Sequence, residues 1–191
     1  LPPGRLAGPL PRGGREQAQW NFLVEDIGDV AERNGRVALE VQSAEVRSTQ
    51  LDAEHAALNG LFQFMIGNLD FDMTHGRPDD ECCHNGKLIA ASDTSRENVV
   101  PVPYDFDHSG FVNAPYATPP EGIQVRNIRE RLYRGLCRFN DQTRAAANVY
   151  RSRRDRLYAV IDSDTRLAPA RRRAARTYIE GFFEILDNPQ R

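Results

Sequence analysis

The spacing of apolar positions changes several times along this chain, and each change marks a predicted element. The run WNFLVED at 20 to 26 is apolar and then acidic, and it reads as a short strand whose end is exposed at Glu25 and Asp26. Ile27, Val30 and Ala31 follow at helical spacing before the turn signal Asn34-Gly35. Val37, Val41, Ala44 and Arg47 mark a first amphipathic helix. Leu51, Leu58, Leu61, Phe62, Met65 and Ile66 mark a second, apolar enough at its C-terminal end to be the central buried helix, with His55 beside it read as structural or exposed. Burying Phe62, Phe64, Met65 and Ile66 contributes roughly 1.5 to 3 kcal/mol each, which would hold the following loop rigid.

Beyond that helix the pattern shortens. KLIA at 87 to 90 and VVPV at 99 to 102 read as two strands joined by the polar turn SDTSREN. Residues 72 to 83, with Gly76, Pro78 and three consecutive acids at 79 to 81, read as a surface loop, and FVNAPYATPPEG at 111 to 122 as a second. Val125, Ile128, Leu132, Leu136 and Phe139 are spaced for one helix. Asp141 is placed to cap another running through Val149 and Leu157 towards Ile161, and Pro169 to begin a third through Tyr178, Phe182 and Ile185. Residues 1 to 19, rich in Pro, Gly and Arg without periodicity, read as irregular. The expected class is α+β, mostly α-helical, in one domain over 20 to 191, since 191 residues suffice for one core and not comfortably for two.

Charge changes this picture in one respect. Residues 1 to 120 hold 9 basic and 18 acidic side chains, net −9, and residues 121 to 191 hold 16 and 9, net +7. The Arg-rich half reads as a solvated helical surface; RRR at 171 to 173 is too short a run to imply nucleic acid. Three cysteines, two of them adjacent at 82 and 83, form neither a disulfide framework nor the paired spacing of structural zinc, and a set of His75, Cys82, Cys83 and His84 is set aside as a zinc site. No apolar stretch is long enough to span a bilayer and no signal-peptide pattern is visible, but the chain starts at Leu1, so upstream sequence is expected and the compartment is left open.

The chemistry concentrates between Leu61 and Gly110. An apolar run stops at Gly67-Asn68 and delivers Asp70 and Asp72; His84 and Asn85 sit on a turn before a strand; a second strand ends in Asp105, Phe106 and Asp107. Two antiparallel strands with Asn before the first and Asp after the second bring Asn85 and Asp105 to one end of the hairpin. Amide and carboxylate oxygens are what Mg²⁺ or Mn²⁺ takes, usually one or two from the protein and the remainder from water and phosphate.

GNLD at 67 to 70, HN at 84 to 85 and PVPYDFD at 101 to 107 occur in an order that resembles the C-terminal lobe of atypical protein-kinase-like phosphotransferases of the HipA and CotH type. The resemblance implies that Asp70 is the catalytic Asp, that Asn85 and Asp105 hold the metal with Asp107 as a further ligand, and that the strand at Val24 and Glu25 is the hinge whose backbone meets adenine. It implies Mg²⁺ and ATP as cofactors, an unidentified phosphoacceptor, and an N-terminal lobe that this chain lacks. Two readings stand: the C-terminal lobe of an ATP-dependent kinase, or a catalytically inactive, pseudokinase-like or structural interaction module.

Overall fold

The order of elements follows from where the chain can bury an apolar face, and that is mostly against one helix. The computed structural model describes residues 5–6, 19–20, 23–42, 46–77 and 81–188. Among these residues are five α-helices and two small antiparallel sheets. β1 (Arg5–Leu6) pairs with β2 (Gln19–Trp20), so the segment expected to be irregular contributes a two-residue strand at each end. Asn21 and Phe22, in the middle of the expected hinge strand, lie outside the described residues, and Leu23 to Asp26 runs unpaired into α1 (Ile27–Arg33). Asp26 starts that helix by accepting from the Gly28 N–H, and Asn34 with Gly35 ends it as the turn signal indicated.

The expected helix from Val37 is instead a strand, β3 (Val37–Ala38), followed by extended chain; Ala44 lies outside the described residues. Leu39 and Val41 are buried while Glu40 and Gln42 are exposed, a period of two that a helix would scramble. β3 pairs with β4 (Gly86–Ala90), which pairs with β5 (Val100–Pro103), all antiparallel, and the register puts Gly86 opposite Pro103. One face of this sheet gives Leu88 and Ala90 to the main core; the other gives Ile89 and Val100 to a small core under α1.

α2 (Ala53–Ile66) is the central helix. Asp52 caps it through the His55 N–H, and Gly67, at φ 63°, closes it in the left-handed region, where a Cβ would also collide with the Tyr178 hydroxyl. α3 (Asn140–Ser152) and α5 (Pro169–Asp187) pack on α2, and α4 (Arg154–Ser163) packs on α3 and α5. Phe182 and Phe183, fully buried on α5, meet Phe64, Tyr150 and Tyr158 edge to face. Pro169 begins α5 as expected, whereas the helix expected from Asp141 to Ile161 breaks at Arg153. That bend lets Leu157, Tyr158 and Ile161 fold back onto the core instead of running past it.

The largest departure is at 123 to 136, which is irregular and ends in a short 3₁₀ turn at Cys137–Phe139. Its arginines supply the reason. Arg129 donates to the Gly110 carbonyl, Arg131 to those of Met65 and Tyr178, and Arg134 to those of Leu69 and Phe71. Arg131 and Arg134 reach carbonyls at and just beyond the end of α2, and Arg129 the Gly110 loop fastened to it, only if their segment runs across that end, and charge-assisted bonds of that kind outweigh local helix propensity. Part of the positive half is therefore internal: Arg131 stacks on the Tyr178 ring, and burial lowers its pKa.

Candidate functional site

Asn68, 1% exposed, joins the pieces. Its side-chain oxygen accepts from the Asp70 N–H at 3.0 Å, and its amide donates to the Asp105 carbonyl at 3.3 Å. Gly110 N–H donates to the Gly67 carbonyl and Phe111 N–H to that of Ile66, so the loop after β5 is fastened along the end of α2. Phe106 adds an edge-to-face contact with Phe62, ring centres 5.3 Å apart.

Asp70 is held by both residues of the His84-Asn85 turn. His84 Nε2 lies 2.7 Å from its Oδ1, and Asn85 Nδ2 donates both to its Oδ2, at 3.0 Å, and to its carbonyl, at 2.7 Å. Asn85 does this from a left-handed backbone, φ 51°, a conformation that Asn tolerates better than most residues. Its own carbonyl accepts from Tyr104 N–H, so the turn before β4 and the end of β5 are joined as the hairpin reading expected. With both amide hydrogens on Asp70, Oδ1 is the polar atom Asn85 keeps in reserve.

Asn85 and Asp105 line one polar cavity of about 320 Å³, together with His84, Arg77 and Glu81. The 72–83 loop thus forms a wall of the site: Asp72 N–H donates to the His84 carbonyl, and Cys82 N–H to that of Val41. Asp79 and Asp80 lie outside the described residues. Cys82 and Cys83 are joined as a vicinal disulfide, which removes both from the zinc set already put aside. Asp107 stands apart from the cavity lining; its carboxylate takes the Tyr116 hydroxyl, a bond that raises the Tyr116 pKa, and lies 4.0 Å from His108 Nε2.

A second cavity, about 550 Å³ and mainly apolar, adjoins the first, and Lys87 and Tyr104 line both. Val24 and Glu25 form its wall with Ile27, Val102 and Phe106. Its size is that of a small-molecule site. Val24 and Glu25 thus line one cavity and Asn85 and Asp105 the next, while Asp70 is hydrogen-bonded to Asn85 and lines neither.

Among the described residues no group of three or more His, Cys, Asp or Glu side chains is arranged to hold a metal ion. Of the residues lining the polar cavity, Asp105 and Asn85 offer one carboxylate and one amide, the minimum that Mg²⁺ uses when phosphate and water complete its shell, while the Glu81 carboxylate is paired with Lys87. Those residues fit a hard cation brought in with a phosphate ligand. They do not form a free-standing metal centre.

Three contributors escaped the sequence reading. Asn68 had a signal in its place after Gly67, where a short amide can bond the backbone two residues on, as it does to the Asp70 N–H. His84 had only its adjacency to Asn85. Arg134, which holds the backbone on both sides of Asp70, had none, being one Arg among many. No family model matches the chain, and neither does any curated protein or solved structure.

Proposed function

We propose that the chain carries the nucleotide and metal site of a Mg²⁺-dependent ATP phosphotransferase, in a fold like the C-terminal lobe of atypical kinases of the HipA and CotH type, acting with an N-terminal lobe outside this sequence. The observation that carries the reading is the pair of adjoining cavities, apolar beside Val24 and Glu25 and polar beside Asn85 and Asp105, with Asp70 hydrogen-bonded to Asn85. In this reading adenine occupies the apolar cavity against Val24 and Glu25. Asn85 Oδ1 and the Asp105 carboxylate face the cation. Bound Mg²⁺ or Mn²⁺ would offset charge on the phosphate oxygens during transfer.

Asp70 orients the hydroxyl of the acceptor. A carboxylate has about four lone-pair positions, and His84 and Asn85 occupy two, so acceptor capacity is left for an incoming hydroxyl. The same two partners fix the carboxylate, which is the positioning that phosphoryl transfer demands of its catalytic Asp.

A second reading draws on the same bonds. Asp70 pins the 68–72 segment to the His84-Asn85 turn, which is a sufficient structural role and favours a pseudokinase-like module without turnover. Transfer of radiolabelled γ-phosphate by the full-length protein separates the two. The enzyme reading expects label to require Mg²⁺ and to fall at least about a hundredfold in Asp70→Asn and Asp105→Asn. Variants that label as well as the parent would refute it; ATP binding without transfer would select the second reading.

A further inference from the structure

Lys87 is the only lysine among 191 residues, and it stands at the seam of the two cavities. Alternation along β4 sends Leu88 into the main core and puts Lys87 on the α1 face with Ile89, beyond the small apolar cluster of that face. Its ammonium lies 3.6 Å from Glu81 Oε2, and its side chain is 41% exposed. An ion pair so exposed contributes little to stability, so the fold does not account for a cation at this position. Glu25 and Asp26 line the apolar cavity, Glu81, Arg77 and Asp105 the polar one, and Lys87 and Tyr104 are common to both. A ligand whose base sits in one cavity and whose terminal phosphate sits in the other must pass its inner phosphates by Lys87.

On the nucleotide reading given above, we propose that Lys87 is the phosphate-binding residue of this site, giving up Glu81 to hold the phosphates between sugar and metal. A flexible four-carbon stem with three donors suits a swing of that kind. Glu81 serves as its counter-ion when nucleotide is absent. The assignment supplies from within this chain a cation that a nucleotide triphosphate needs besides a divalent ion.

The single lysine makes a chemical test specific. An acyl-phosphate derivative of ATP places an activated carbonyl at the end of the phosphate chain. The deprotonated Lys87 Nζ attacks that carbon, the bond to the terminal phosphate oxygen breaks, ATP leaves, and the amine proton goes to solvent. Peptide mapping should locate one acyl group on Lys87, and excess ATP should suppress it. In parallel, Lys87→Gln should weaken ATP binding about tenfold and leave adenosine binding unchanged, with Lys87→Arg retaining most of the ATP affinity. Unlabelled Lys87 in a protein that binds ATP, or an equal effect of Lys87→Gln on ATP and adenosine, would overturn the assignment and leave the nucleotide site standing. Failure of the wild-type protein to bind either would overturn both.

Discussion

Replacing Asn68 by Ala should uncouple the two halves of the candidate site. The side chain is buried and makes two hydrogen bonds, to the Asp70 N–H and the Asp105 carbonyl. Each is worth about 1 kcal/mol net, and each leaves behind a partly buried backbone group whose loss of a partner costs roughly 1 kcal/mol more. The expected loss is about 4 kcal/mol, or roughly 8 to 16 °C in Tm for a chain of this size. Urea unfolding followed by far-ultraviolet circular dichroism measures it. Asn68→Asp sharpens the test, because it keeps the acceptor for Asp70 and sets a second acceptor against the Asp105 carbonyl. It should be at least as destabilised at pH 7 and should recover, relative to wild type, as acid protonates the new carboxyl. A loss below about 0.5 kcal/mol in Asn68→Ala would show that Asn68 does not hold these segments together.

Other expectations follow from the same structure. Arg131→Met should cost about 2 to 4 kcal/mol in urea unfolding, since it strips a buried guanidinium from the Met65 and Tyr178 carbonyls. Gly67→Ala should lower stability by at least about 1 kcal/mol, because the residue needs a left-handed backbone and its Cβ meets Tyr178; a neutral result would argue against this helix end. Burial pushes the Tyr150 phenol above its ordinary value of 10.0, so its contribution is fully present below about pH 10 and is lost as pH rises towards the folded value. Tyr150→Phe should therefore lose about 1 kcal/mol at neutral pH, from the bond to the Leu58 carbonyl, yet unfold less steeply above pH 10. Parallel curves for the two proteins in alkali would contradict this.

What the sequence made legible depended on the range of the interaction. α2 and α5 were readable because their apolar spacing and, for α5, a Pro start are local signals. The hairpin was readable for the same reason, and with it the meeting of Asn85 and Asp105. The stretch from Val37 was misread because Val37, Val41 and Ala44 fit a helix as well as Leu39 and Val41 fit a strand, and only pairing with β4 decides between them. The segment at 123 to 136 was misread because its periodicity was real but irrelevant: arginines reaching distant carbonyls set its path, and nothing local announces such targets. The vicinal disulfide likewise depends on a backbone geometry that residue types alone do not reveal. In the site, the acids were visible and their holders were not.

The central claim is that Asn85 and Asp105 hold a divalent ion together with the phosphates of ATP. Calorimetric titration with ATP in Mg²⁺ and in EDTA, on the parent protein and on Asp105→Asn, addresses it most directly, since among the described residues the Asp105 carboxylate accepts only a long bond, 3.4 Å, from the Asp107 N–H and its neutralisation should leave the fold intact. The expected result is binding that weakens at least tenfold on removing either the ion or the charge, with little further loss when both are removed. ATP affinity unaffected by EDTA and by Asp105→Asn, or no binding under any condition, would contradict the account.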